Sequence, residues 1–288
     1  LDDLDRRIEE LYSIFEECVL CPRKCKVNRF SEERGYCRSG KDLVVSSISP
    51  HFGEEAPLVG IYGSGTVFLS NCNLGCTYCQ NYEISQFGHG SHMTTDELVS
   101  AMLGLQKRGC HNINFVTPTH FVPQLVKSIK NAAERGLKIP IVYNCGGYES
   151  VETLRLLEGI VDIYMPDMKY SDSENAKRYS NAPDYFEVCK DAVREMHSQV
   201  GDLKVNGGVA WRGLLIRHLL LPNDLAGSEE ILKFVSELSK DSYINIMEQY
   251  RPVFKAYDYG ELKRPLKMSE YSKVIEMAKE LGLHRGFL

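Results

Sequence analysis

Leu4, Ile8, Leu11, Tyr12 and Phe15 recur at the three-and-four spacing of one helical face, with acids and arginines between them, so residues 3–17 predict an amphipathic helix. Residues 43–61 hold short β-branched runs broken by Pro50, Gly53 and Pro57, and predict loops or a small hairpin. After Gly63-Ser64-Gly65 the apolar run 66–70, bounded by turn residues, predicts a buried strand. From there strand and helix signals take turns to the C-terminus. Strands are expected at 112–116, 140–144, 161–165, 214–221 and 243–247. Helices are expected at 95–107, 121–134 and 151–158, in two pieces over 173–198, and at 228–239 and 269–281. Asn206-Gly207 is a hairpin dipeptide ahead of the fifth strand, and Gly282 is placed to cap the last helix.

Strands separated by helical segments of roughly 10–15 residues are the pattern of βαβ units on a parallel sheet with right-handed crossovers. Six such units predict an α/β fold, a parallel (β/α)6 partial barrel of the TIM-like kind, over residues 63–288. A helix and a cysteine-rich extension over residues 1–62 precede it. In such folds ligands gather at the C-terminal ends of the strands, so the loops that follow each strand are where chemistry is sought. Composition fits a globular chain: 43% of the 288 residues are hydrophobic and 25% charged, which excludes a disordered protein. A net charge of −5 with no basic stripe argues against nucleic acid as the main partner. The longest apolar stretches, such as 213–222, contain Arg217 and His218 and fall far short of the ~20 residues of a membrane span. The acidic opening, residues 1–7, lacks the apolar segment of a secretory signal, so a cytoplasmic location is expected.

Ten cysteines change the picture. Without a signal to an oxidising compartment, metal or redox chemistry is the better reading than disulfides. Cys72, Cys76 and Cys79 follow directly on the strand at 66–70, in a C-x3-C-x2-C pattern with Gly75 supplying backbone freedom for a tight loop. A structural zinc site wants four closed ligands, whereas a cubane iron-sulfur cluster on three thiolates keeps one iron open to another ligand. Three buried structural cysteines, or a zinc site borrowing a fourth ligand, are the bland alternatives; a core cysteine belongs in a helix or strand and not in a triplet within a polar loop.

On these residues the chain resembles the radical S-adenosylmethionine superfamily, and within it the pyruvate formate-lyase activating enzyme-like proteins, a subgroup of which also carries the N-terminal Cys-Pro-Arg-x-Cys segment seen here at residues 21–25. The resemblance implies a [4Fe-4S] cluster on Cys72, Cys76 and Cys79, whose fourth iron is chelated by S-adenosylmethionine, with Tyr78 bordering the adenine. It further implies reductive cleavage to methionine and a 5′-deoxyadenosyl radical, hydrogen abstraction from a substrate, and a reductant such as flavodoxin or ferredoxin. Among the cofactor-binding positions, Asp167 and Lys169 match the family's Asp-x-Lys motif and Arg217 matches an arginine of the fifth strand. The family's Gly-Gly-Glu-Pro turn is Val116-Thr117-Pro118-Thr119 here, so Thr117 offers a hydroxyl where an acid is usual. Asn144 leads the polar-then-glycine turn after the third strand, and Glu248 to Arg251 stand where a histidine is usual. No residue declares itself as a catalytic acid or base.

Each of these positions has a plainer reading. Asp167 and Lys169 could be a solvated pair, Arg217 could face a surface acid, Cys145 could simply pack, and His120 could be a satisfied junction residue. A second group, Cys18, Cys21, Cys25 and Cys37, offers four thiolates among arginines and lysines, which suits a structural zinc, a second fully ligated iron-sulfur cluster, or free thiols. Three functions therefore stand side by side: abstraction from a glycine of a partner enzyme, radical modification of a small molecule or RNA base, and a non-catalytic iron-sulfur or zinc-binding protein.

Overall fold

Side chains alternate across each strand, and that period decides which residues face the helices and which face inward. The computed structural model describes residues 2–287. In chain order the elements are α1 (Asp2–Ser13), β1 (Leu43–His51), α2 (Ala56–Val59), β2 (Ser64–Leu69), α3 (Tyr82–Ser85), β3 (Ser91–Met93), α4 (Thr95–Lys107), β4 (Ile113–Val116), α5 (Val122–Glu134) and β5 (Ile141–Cys145). They continue as α6 (Val151–Arg155), β6 (Ile163–Pro166), α7 (Ser173–Ser180), α8 (Tyr185–Val200), β7 (Lys204–Asn206), β8 (Val209–Leu219), α9 (Ser228–Leu238), β9 (Tyr243–Met247) and α10 (Met268–Glu280). The protein is an α/β fold on an open, mostly parallel sheet: β2, β4, β5, β6, β8 and β9 pair in parallel as neighbours, in chain order.

Three antiparallel strands depart from the expected pattern. β1 pairs along β2, from Val45 opposite Leu69 to His51 opposite Ser64, and β3 extends β1 outward. The segment 43–61, expected as loops or a small hairpin, thus opens with a nine-residue strand, and the sheet runs continuously across position 62. Pro50 is tolerated because β1 lies near the sheet edge. β7 pairs back on β8 through Asn206-Gly207-Gly208, whose two glycines have φ of +57° and +82°. That hairpin starts β8 at Val209, five residues before the strand predicted from the apolar run.

Outward-facing Val67, Ile113, Phe115 and Ile141 pack on Leu98, Val99, Met102 and Leu125 of α4 and α5. Outward-facing Tyr164, Ile216 and Ile244 pack with Ala192, Val193, Ile231 and Val235 of α8 and α9. The alternate residues face inward, where Leu58 of α2 meets Val142, Ile163, Met165 and Leu215. This apolar plug fills the inner face below its C-terminal rim. Helix ends follow local chemistry: Thr94 and Glu97 form a reciprocal capping box on α4, and Gly282, at φ +81°, follows α10 as predicted. Among the described residues no helix is long and apolar enough to cross a membrane.

Leu58 is fully buried at the centre of the plug. Leu58→Ala is expected to cost about 2–5 kcal/mol, read as a lower urea midpoint at unchanged slope. A loss well under ~1 kcal/mol would show that α2 does not carry the inner packing.

Candidate functional site

The chain leaves β2 at Ser70 and turns sharply at Asn71, which holds φ +72° while its side-chain amide donates to the Ser39 hydroxyl at 3.1 Å. The three-cysteine loop that follows is strapped to the end of α7: the Gly75 and Thr77 N–H groups donate to the carbonyls of Ser180 and Tyr179 at 3.4 and 2.8 Å. Each sulfur has a hydrogen-bonding neighbour. Leu74 N–H donates to Cys72 Sγ at 3.3 Å, the Ser180 hydroxyl to Cys76 Sγ at 3.0 Å, and Ser85 Oγ lies 3.1 Å from Cys79 Sγ. Burial, and then the neighbouring Cys76 sulfur, push the Cys72 and Cys79 thiols upward, so the loop holds thiolates only around a positive centre.

All three cysteines are free thiols. Among the described residues no three Cys, His, Asp or Glu side chains converge closely enough to hold a single metal ion. A structural zinc site closes with four ligands at ~2.3 Å, whereas three thiols on one loop match a cubane cluster that keeps one iron open.

The predicted cofactor residues from three different strand ends meet beside this loop. Arg217 on β8 donates to Asp167 Oδ1 through Nε at 2.8 Å and to Asn144 Oδ1 through Nη2 at 2.8 Å. Lys169 Nζ lies 2.5 Å from the other Asp167 oxygen. Burial favours a neutral Asp167, but Arg217 and Lys169 outweigh it and hold the carboxyl below its ordinary range. Burial likewise opposes the two cations, and Asp167 holds both upward, so the triad is fully ionised. The Tyr185 hydroxyl ties the strand ends together, accepting from Lys169 N–H at 3.0 Å and donating to the carbonyls of Gly146 and Asp167 at 2.8 Å. Gly147, at φ +77°, must be glycine here, since a Cβ would stand 2.2 Å from the Asp167 carbonyl. Asp167 and Arg217 are therefore not the surface pairs of the plainer reading.

Tyr78 is buried, its ring edge-on to Tyr170 and Tyr250 at 6.3 and 5.9 Å. Thr117 sits at φ +61°, uncommon for a β-branched residue, with its N–H bonded to the Asn144 carbonyl at 2.8 Å. His120 is buried beneath the loop, its Nε2 bonded to the Ser70 carbonyl at 2.8 Å, and burial pushes it down to about 3, so the ring is neutral. Cys145 is buried in the core. The N-terminal cysteines lie against the same loop, where Arg23 donates to the Asn73 carbonyl at 2.9 Å.

Four polar residues near the site escaped the sequence reading. Glu54 and Glu55 come from the segment between β1 and α2. Glu55 reaches Arg217 at 3.6 Å and Asn245 at 3.3 Å, while Glu54 bonds His51 at 3.1 Å. Asn114 faces inward from β4, and Glu149 accepts from Thr119 at 2.6 Å and Tyr143 at 3.0 Å. The alternation of the strand at 112–116 was the one signal that could have placed Asn114 inward.

Comparison with known proteins gives the family and the fold. The profile of the Radical SAM superfamily matches residues 66–235, more than half of the chain. The uncharacterized proteins MJ0674 and MJ0808 of Methanocaldococcus jannaschii are 33% and 25% identical over 97% and 93% of this chain, covering 79% and 78% of their own lengths. Among solved structures, HydG, a maturase of the [FeFe]-hydrogenase, superposes with a TM-score of 0.56 at 14% identity, over 77% of this chain and 50% of that one. Streptococcus suis SuiB bound to precursor peptide SuiA gives 0.52 at 11% identity, over 75% and 46%. The chain thus spans about half the length of these two structures, and the likeness is one of fold.

Glu149 supplies a pH test. Burial pushes its carboxyl up to about 7, against hydrogen bonds from Thr119 and Tyr143 that favour the charged form. A carboxyl raised on folding contributes stability that is full below about pH 4.5 and is lost as pH rises through about 7. The stability of Glu149→Gln relative to wild type should therefore climb by about 3 kcal/mol between pH 5 and 8 in urea titrations. A flat difference across that window would place the carboxylate in a solvated environment.

Proposed function

The chain belongs to the radical SAM superfamily, and on that premise we propose that Cys72, Cys76 and Cys79 hold a [4Fe-4S] cluster beside a docking site for S-adenosylmethionine, from which hydrogen is abstracted from a substrate. When bound, the cluster and its ligand supply the chemistry: one electron delivered to the sulfonium releases methionine and a 5′-deoxyadenosyl radical. The observation that carries the reading is the set of Asn144 and the ionised Asp167, Lys169 and Arg217 gathered at the strand ends next to three free thiols. These side chains offer fixed donors and acceptors for the polar end of the cofactor, and Tyr78, walled by Tyr170 and Tyr250, offers an aromatic flank for a purine. Thr117, held against Asn144, lines the same rim. Preorganised dipoles of this kind orient a ligand without further rearrangement.

The inner face beyond Asp167 supports a reading of the substrate. Asn114 is 0% exposed, and neither its Oδ1 nor its Nδ2 has a partner; the same holds for Glu55 Oε2. A buried polar atom left unpaired costs about 1–3 kcal/mol, so a substrate gains that energy only where the inner face opens to let it bond these atoms. An amide that offers both a donor and an acceptor is complementary to a peptide group. At the mouth, Tyr82 stacks on Phe254 at 4.9 Å, with Phe87 packed against both rings and 58% exposed. Apolar rings at the surface suit a macromolecular partner. Both features favour abstraction from a backbone glycine of a partner enzyme. The acid pair Glu54 and Glu55 on the inner face favours a second reading, a small molecule carrying a cationic group.

Reduced protein prepared without oxygen is expected to convert S-adenosylmethionine to 5′-deoxyadenosine and methionine, and Asp167→Asn to slow this about a hundredfold by misplacing Lys169 and Arg217. Absence of 5′-deoxyadenosine from wild type would leave a non-catalytic iron-sulfur protein. Asn114→Ala is expected to leave substrate-free turnover intact and to lower hydrogen transfer from substrate. A glycyl doublet in electron paramagnetic resonance on adding a partner enzyme marks the first substrate reading. Deuterium moving from a labelled amine-bearing metabolite into 5′-deoxyadenosine marks the second.

A further inference from the structure

We propose that Cys18, Cys21, Cys25 and Cys37 hold a second iron-sulfur cluster, closed by four thiolates. The four cysteines line one cavity together with Arg29 and His120. Cys18, Cys21 and Cys37 are buried, and all four are free thiols. The chain is bent around them at a cost. Lys24, Lys26 and Arg38 have φ of +41°, +57° and +59°, a conformation that costs a non-glycine residue about 1–3 kcal/mol and persists only where the surroundings enforce it. Hydrogen bonds from Lys24 N–H to the Cys21 carbonyl and from Lys26 N–H to the Cys18 carbonyl, at 3.0 and 2.9 Å, fix the bends. Tyr36 N–H donates to Cys25 Sγ at 3.3 Å, and a Cβ on Gly35 would stand 2.8 Å from that sulfur.

One buried group at the cavity, Arg29, lacks what a cluster would supply. Arg29 is 1% exposed, yet its hydrogen bonds go only to the carbonyls of Gly40 and His120, and its guanidinium lies over the Phe15 ring at 3.9 Å. Among the described residues no carboxylate pairs with it, and a buried cation is strongly unfavourable without an anion. A cluster on four thiolates is anionic and stands where that charge is needed. His120, also 1% exposed, bonds the Ser70 carbonyl through Nε2, which must be the protonated nitrogen, and its Nδ1 has no partner. Nδ1 carries only a lone pair, which accepts from no cluster sulfur, and four thiolates already fill the irons, so His120 is a neighbour of the proposed centre and not a ligand to it. Four thiolates suit zinc as well as a closed cluster, and metal content separates the two. Four protein ligands leave no iron open, so this centre binds no substrate.

The assignment stands apart from the substrate reading and is tested separately. The variant Cys72→Ala/Cys76→Ala/Cys79→Ala, reconstituted with iron and sulfide without oxygen, is expected to retain about four irons and four sulfides per chain, with a reducible cluster spectrum. Wild type is expected to hold about eight irons, and Cys18→Ala/Cys21→Ala about four. Iron-free triple variant, or triple variant with about one zinc per chain, overturns the proposal. Should the triple variant fail to fold, wild type and Cys18→Ala/Cys21→Ala decide it: equal iron content of about four in both overturns it.

Discussion

Asp167 is a largely but not fully buried carboxylate gripped by cations from two different positions, Arg217 on β8 and Lys169 two residues along its own chain, and the functional end of the sheet is organised around it. Through Arg217 it fixes Asn144 at the end of β5, and through the same guanidinium it reaches Glu55 on the inner segment. Its own carbonyl accepts from Tyr185, which also holds Gly146. Removing one partner from a buried ion pair leaves an uncompensated charge and typically costs 3–5 kcal/mol, more than most single contacts. Several strand ends thus share one electrostatic constraint, and the loops that carry cofactor chemistry inherit its geometry.

The N-terminal segment is joined to that end by arginine donors that find backbone carbonyls. Arg23 reaches Asn73, Ser180 and Asn181, Arg38 reaches Ser85 and Gln86, and Arg29 reaches His120. Arg23 is in addition sandwiched between the rings of Tyr36 and Tyr148 at 3.8 and 5.0 Å. Guanidinium groups suit this task because their planar fork presents several donors at once. The consequence is mechanical: residues preceding β1 and the loop following β2 form one unit around two groups of sulfur atoms.

Much of this was legible in the sequence, and the misses share a cause. Helical and strand periodicity located α4, α5, β5, α9 and β9, because each buries one apolar face within a continuous run. β1 was hidden by Pro50, which read as a turn signal although an edge-side strand accommodates it, and by Gly53 just past its end. Spacing in a motif delivered Cys72, Cys76, Cys79, Asp167 and Lys169, which lie close in sequence. Strand alternation alone could have turned Asn114 inward, but Glu54, Glu55 and Glu149 meet the site only through sheet register and curvature, which no local pattern carries. His120 is bonded at Nε2, as a junction residue would be, and has no partner at Nδ1.

The turn after β4 lacks the acid that the activating-enzyme-like pattern would put there, and the fold places one beside it from elsewhere. Glu149, delivered by the loop after β5, accepts from the Thr119 hydroxyl two residues past Thr117. Its carboxyl is raised by burial, so near neutrality it exchanges between proton donor and acceptor, whereas Asp167 stays ionised throughout. Two carboxyl groups on neighbouring loops are thereby tuned in opposite directions, one by desolvation and one by paired cations. Below them the inner face passes from Asn114 and Glu55 to the apolar plug of Leu58, Val142, Ile163 and Leu215. A polar rim over a dry floor directs a bound molecule's hydrogen-bonding groups and keeps bulk water from beneath, which a reactive carbon radical requires if it is to take its hydrogen from one chosen bond.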